Sequence, residues 1–168
     1  LALIPKMGAR SIHLMRAESP GPSVDKLVPR VGNNAKILYL IYISLTIANI
    51  IFLIAGKMSL FEAVCTAFGT AGTGGFGIKN DSLAGYSPYL QNVCTVFMLI
   101  FGVNFNLFYL FILGNFKAVF KDEELRLYLG IFAVATLLIA WDITNMMGSA
   151  KEALHHAAFT VSTIMTTT

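Results

Sequence analysis

Apolar and polar residues fall along this chain in blocks, and the lengths of the blocks predict the elements. Residues 6–36 are polar and turn-rich, with Pro20, Gly21, Pro22 and Pro29, the composition of an extramembranous loop. Ile37 to Ala55 is apolar except for Ser44, Thr46 and Asn49. That is close to the roughly 20 residues that cross a bilayer at about 1.5 Å rise each. Ser59 to Thr70 predicts a much shorter helix: Ser59 is an N-cap and Glu62 follows at capping-box spacing. Its length of about 18 Å covers only half a bilayer. It ends at Gly69-Thr70-Ala71-Gly72-Thr73-Gly74-Gly75-Phe76-Gly77, through which no helix continues. Asp81 to Pro88 reads as a loop. Tyr89 to Phe116 is a second long apolar stretch, spanning with tilt or a break, with Gly102, Asn104 and Asn106 in its middle. Residues 117–126 form a charged connector. Leu127 to Met147 predicts a third span, and past Gly148 a second short helix runs from Ser149 to Met165 and ends at Thr166-Thr167-Thr168.

The order is span, half-helix, Gly/Thr loop, span, and then again span, half-helix, Thr loop: an internal repeat. Ala63, Thr66 and Thr73 recur about 94 positions later as Ala157, Thr160 and Thr167, and Gly74 falls opposite Thr168. Four segments follow: 1–36, the end of a preceding helix plus a loop; 37–116, a complete repeat; 117–126, a connector; and 127–168, the span and half-helix of a next, truncated repeat. The start is apolar without a basic region before it and without Met, so the chain reads as a piece of a longer protein.

Composition agrees with the bilayer as solvent. Of 168 residues 56% are hydrophobic and 12% charged, against about 25% charged in soluble domains, and the mean hydropathy is +0.70. A net charge of +3 is too small and scattered for nucleic acid. Its distribution says more. Residues 6–36 and 117–126 hold nine of the twelve Lys and Arg residues, leaving Lys57, Lys79 and Lys151 for the other side. Basic loops face the cytoplasm, so the Gly/Thr loops open outward. Cys65 and Cys94 lie in apolar sequence without CxxC or His partners and read as small buried hydrophobes.

A half-helix followed by unwound backbone is tolerated at membrane depth only against protein or a watery cavity, because its polar groups would otherwise cost several kcal/mol each. This is the construction of a pore loop, whose carbonyls replace an ion's hydration shell while the helix C-terminus lends partial negative charge. The expected fold is therefore an all-α integral membrane protein of span–pore-helix–span repeats, P-loop channel-like, with re-entrant half-helices and extended filter loops. The expected ion ligands are the carbonyls of Thr73, Gly74 and Gly75, joined by Thr167 and Thr168, and the cargo is a monovalent cation. No cofactor is expected.

Other chemistry fits less well. Gly72, Gly74 and Gly77 satisfy G-x-G-x-x-G, but a helix precedes them where a dinucleotide site needs a strand. His155 and His156 are adjacent and project apart, poor geometry for one metal, although either could sense protons. Asp142 beside Trp141 reads as a wetted acid near the outer interface, and Asn104 and Asn106 as facing protein or the permeation path. An intramembrane hydrolase using Ser162 with His155 or His156 lacks a nucleophile elbow, so the chain is not expected to be an enzyme. A scaffold or receptor without transport would leave the unwound loops unexplained.

Three stretches carry a family resemblance: Arg16-Ala-Glu-Ser-Pro-Gly-Pro22 with Asp25-Lys-Leu-Val-Pro-Arg30, Thr73-Gly-Gly-Phe76, and Thr166 to Thr168. They resemble the TrkH-type subunit of the Trk/Ktr/HKT potassium transporters. The resemblance implies four repeats around one potassium path in the cell inner membrane, with Gly75 as a filter glycine and Thr73 and Gly74 as carbonyl donors before it. It further implies Thr167 and Thr168 as donors of the next filter, whose glycine and whose repeat's gating loop lie past residue 168. Gly77 stands where relatives often carry Ser. A homodimer and a cytosolic nucleotide-binding partner of the TrkA type are implied as well. Potassium uptake is the leading expectation, with Na+- or H+-coupled transport on the same scaffold as the alternative.

Overall fold

A computed structural model describes residues 31–168, with side chains from Lys36 onward. The loop expected over most of residues 6–36, and the Arg16 to Arg30 stretch, lie outside the described residues. Those described form seven helices and no strand: α1 (Val31–Ala55), α2 (Leu60–Ala71), α3 (Pro88–Phe101), α4 (Phe105–Ile112), α5 (Phe116–Lys121), α6 (Glu123–Met147) and α7 (Ala150–Thr166). Lys36–Ala55 and Glu123–Met147 are each long and apolar enough to cross a membrane, and α3 with α4 makes a third span if the bent pair is counted as one.

Local signals account for the ends. Between Pro29 and Pro88 the sequence has no proline, and the chain is already helical at Val31, where the described residues begin and several residues before the expected Ile37. Pro88 opens α3, where its missing N–H is no loss. Asp122 caps α6 by accepting from the Leu125 N–H at 2.9 Å, with Glu123 and Glu124 in the favourable first turn. That cap starts α6 at Glu123 rather than Leu127. The expected connector is therefore mostly helical, split between α5 and the start of α6. Gly148 closes α6 in the left-handed conformation at φ 69°.

The two half-helices are built alike. On α2, Ala63, Ala67 and Ala71 are buried at i, i+4, i+8, and on α7 Ala153, Ala157 and Val161 are. These small-residue stripes let backbones approach closely where lipid supplies no hydrophobic drive between helices. One core joins Leu53 of α1, Met58, Ala63 and Ala67, and Leu90, Cys94 and Met98 of α3. A second joins Ala71, Phe97 and Phe101, with Tyr42 against Phe101 at 5.8 Å between ring centroids. Large apolar side chains on α1 and α6, among them Leu40, Ile51, Leu138 and Trp141, remain exposed. Such surface is what lipid or further helices cover.

The stretch from Tyr89 to Phe116 is broken, with an 89° bend between α3 and α4. Three contacts fix the elbow. Val103 N–H bonds to Ile100 O, which leaves Leu99 O to accept from the Tyr128 hydroxyl at 3.3 Å. Asn104 caps α4, its Oδ1 accepting from Asn106 N–H at 3.1 Å and its Nδ2 donating to Glu124 Oε2 at 3.2 Å. Gly102 leaves room for α6 and α7: a Cβ there would run into the Tyr128 hydroxyl and lie 3.0 Å from the Thr166 methyl.

Gly102→Ala is expected to destabilise the fold by about 1–3 kcal/mol through overpacking. Combined with Tyr128→Phe, which removes the clashing oxygen, the loss should be smaller than the sum of the single losses. Thermal melts of the purified variants check this, and strict additivity would mean that the hydroxyl is not what Gly102 makes way for.

Candidate functional site

Helix α2 is fixed at both ends. Ser59 Oγ accepts from the Glu62 N–H at 3.4 Å and donates to Glu62 Oε2 at 3.0 Å, so the expected capping box forms. Glu62 also faces Lys79, its Oε1 3.8 Å from Nζ, while Lys79 Nζ lies 4.1 Å from the centre of the Tyr86 ring. The Ser59 hydrogen bond holds the Glu62 carboxyl below its usual range; desolvation comes next and opposes it, and Tyr86 and Lys79 add to the lowering. Tyr86 is pushed up, first by burial and then by Glu62.

The C-terminal end of α2 closes in a Schellman turn. Thr73 N–H bonds to Thr70 O at 3.3 Å and Gly74 N–H to Gly69 O at 2.8 Å. The residue in the left-handed position is Thr73, at φ 51°. Helix α7 ends the same way at the matching register: Thr168 N–H bonds to Thr163 O at 3.0 Å and Thr167 sits at φ 56°. The same turn ends α1 at Lys57 and α4 at Gly114, so the turn alone is ordinary. A β-branched residue at its left-handed position is not, and it costs about 1–2 kcal/mol where glycine would be free. Both half-helices accept that cost at equivalent positions.

The two loops then meet. Gly75 has φ +64°, and a Cβ on it would lie 2.6 Å from the Thr168 carbonyl carbon, so only glycine fits. Behind them lies a cavity of about 140 Å³ lined in part by Thr66, Thr70, Thr163 and Thr168. The threonines are tied down: Thr70 donates to Thr66 O at 2.9 Å, Thr166 to Ser162 O at 2.8 Å, and Thr166 and Thr168 share a hydrogen bond of 3.0 Å. Among the described residues no backbone N–H bonds to the carbonyls of Thr73, Gly74 or Gly75. Carbonyls without such partners, held by satisfied turns, are groups that can take a cation or water.

The remaining candidates separate. Ser162 is fully buried and donates to Phe159 O at 2.8 Å. His155, seven residues earlier on the same helix and so about 10 Å away along the axis, has both ring nitrogens turned to α3. No nucleophile–base pair exists there. His156 is exposed, and its ring lies 5.3 Å from that of His155. Among the described residues no group of three His, Cys, Asp or Glu could hold a metal, and both cysteines are free. Asp142 is exposed near the end of α6, and a helix precedes the glycines of G-x-G-x-x-G.

A family model described as TrkH, cation transport protein, matches residues 1–165. The chain belongs to the TrkH family. It is 35% identical over 174 residues to the Trk system potassium uptake protein TrkH of Salmonella typhimurium, covering 99% of this chain and 36% of that protein. It is 37% identical over 177 residues to the TrkH of Vibrio parahaemolyticus, with the same coverage. The crystal structure of the potassium transporter TrkH from Vibrio parahaemolyticus matches with a TM-score of 0.76 at 29% identity, over 91% of this chain and 34% of that one. The chain thus spans about a third of the length of the curated relatives it matches. The all-α membrane fold expected from the sequence is the TrkH fold.

Sequence reasoning named the loops and missed what holds them. The recurrence of Thr73 and Thr167 was visible as residue type, but not the left-handed φ that both adopt. No sequence signal marked the Gly75–Thr168 contact. Gln91 and Tyr128, which bond across helices, sit in apolar stretches where one polar residue reads as noise.

The pH dependence of the Glu62 cluster follows from its depressed pKa. Its contribution is fully present above the ordinary carboxylate range and is lost as pH falls through the lowered folded-state value. The difference in melting temperature between wild type and Glu62→Gln is therefore expected at neutral pH, and to close only below the range in which a free carboxylate titrates. A gap that closes already within that range would show that Ser59 and Lys79 do not hold the charge.

Proposed function

We propose that this chain supplies two adjacent filter segments of a potassium uptake pathway, with the carbonyls of Thr73, Gly74 and Gly75 and those of Thr167 and Thr168 as ion ligands. The observation that carries the reading is the convergence of two threonine-capped half-helices on one contact, Gly75 against Thr168. Their C-terminal ends bring partial negative charge to the same place, and at Gly75 the φ of +64° together with the Thr168 backbone, 2.6 Å from where a Cβ would lie, leaves room for glycine alone. Potassium is favoured over other cations because the relatives are named potassium uptake proteins.

In this reading the protein lies in the cytoplasmic membrane with residues 6–36 and 117–126 inside and the filter loops opening outward, the orientation that the basic residues favour. Segments 37–116 and 127–168 are then one complete repeat and the start of the next. The working transporter is a homodimer with a cytosolic nucleotide-binding subunit of the TrkA type, and it performs permeation, not catalysis.

The test is Rb+ uptake by the native full-length protein in potassium-uptake-deficient cells, with K+ and Na+ as competitors. Gly75→Ser should lower uptake or K+ preference at least roughly tenfold, a loss of about 1.4 kcal/mol at the ion site. Unchanged, equally selective uptake would remove Gly75 from the filter. No uptake by the well-expressed wild type would remove the transport reading itself.

A further inference from the structure

The segment after the first filter loop, Gly77 to Ser87, makes only local turn bonds of its own: Ser82 to Lys79, Ala84 to Asp81 and Tyr86 to Leu83. Yet its Leu83 and Tyr86 pack on the core beneath α2 and α3 and wall the cavity behind the loops. Ser87 O takes the Gln91 N–H at 3.2 Å where α3 begins, and what ties the carbonyls before it to the helices is one side chain. Gln91, in the first turns of α3, directs its Nε2 at three carbonyls: Leu83 at 3.0 Å, Tyr86 at 3.3 Å and Ala84 at 3.4 Å. Three acceptors on one side settle which end of the amide is nitrogen. The other end, Oε1, lies 2.7 Å from Nε2 of His155 on α7. Since Oε1 can only accept, His155 Nε2 is the donor. Nδ1 of the ring lies 2.9 Å from the exposed Asn92 amide, whose two ends can serve either a neutral or a charged imidazole. The Nε2–H that reaches Gln91 is present in both.

We infer that His155 and Gln91 are positioning residues for the first filter loop: a hydrogen-bond relay from the half-helix of one repeat, through the amide of Gln91, to the backbone that braces the other repeat's loop. Its geometry resolves a problem of accounting. Gln91 has both donors and its acceptor engaged, so loss of His155 leaves Oε1 unpaired, and the amide can then rotate and drop its carbonyls. The relay is specific to this seam. At the register that matches Thr73 with Thr167, the counterpart of His155 is Phe61, which is exposed and cannot donate. The braced segment also carries Tyr86, whose ring faces Lys79 and through it the cap of α2. Thus α7 acts on both ends of the first loop's support. This assigns His155 a role as a neutral or charged donor, distinct from metal binding, proton sensing or catalysis.

The consequence for transport rests on the filter reading above, while the bracing does not, and the experiment separates them. Full-length wild type, His155→Leu, His155→Gln, Gln91→Leu and Gln91→Glu are compared in nanodiscs by hydrogen exchange over residues 79–87 and in cells by Rb+ uptake with Na+ competition. His155→Leu and Gln91→Leu should exchange roughly tenfold faster in this segment alone, and Gln91→Glu likewise, because a carboxylate cannot donate to carbonyls. His155→Gln keeps an N–H donor and should stay near wild type. The same three damaged variants should lose K+ preference, and His155→Gln should retain it. Unchanged exchange in His155→Leu, or equal damage in His155→Leu and His155→Gln, overturns the relay. If wild type takes up no Rb+, the transport reading falls and the exchange pattern alone decides the relay.

Discussion

Everything in this fold turns on how a short helix can end against apolar neighbours without stranding its carbonyls. A helix end exposes four carbonyls, and in lipid each unsatisfied one costs several kcal/mol. The turns at Gly74 and Thr168 fold the chain back onto Gly69 and Thr163 and satisfy part of that set internally. After the first of them the carbonyls of Thr73, Gly74 and Gly75 are unclaimed by backbone donors. An ordinary loop would have to fill those acceptors from within. A pore loop needs them open, and the cost of keeping them open is met where a cation or water faces them.

Placing threonine rather than glycine in the left-handed position makes sense in that setting. Glycine would remove the strain but also the hydroxyl. Thr167 uses its hydroxyl on Thr166 O at 2.7 Å, inside the network that joins Thr166 to Ser162 and Thr168. The strain persists because the surroundings over-determine it: small-residue stripes on α2 and α7, the sulfur of Met98 lying 3.6 and 3.8 Å from the Ser162 and Thr163 hydroxyls, and the close approach of Gly102 to Thr166. The elbow, the two half-helices and α6 are thus one packed unit, and a change at the bend is felt at the second loop.

Much of this was legible in the chain. Block lengths gave two spans and a half-helix because hydrocarbon thickness sets a length scale that residue counts meet directly. The Ser59–Glu62 box and the run of glycines ending α2 are local, so they read off the sequence. The failures cluster where the deciding partner is distant in the chain. Tyr89 to Phe116 was open to either a tilt or a break, and it is Tyr128 and Glu124 on α6 that hold it bent. The charged connector is helical because Asp122 caps α6 earlier than hydropathy suggests.

The sequence by itself determined the all-α membrane class and where the long and short helices fall, because each depends on residue type counted over a local window. Only the tertiary structure decided that Thr73 and Thr167 adopt positive φ, that Gly75 abuts Thr168, and that His155 reaches Gln91. The last two depend on contacts between residues about 64 to 93 positions apart, and pairing at such separations is set by how whole helices pack, which no local pattern encodes.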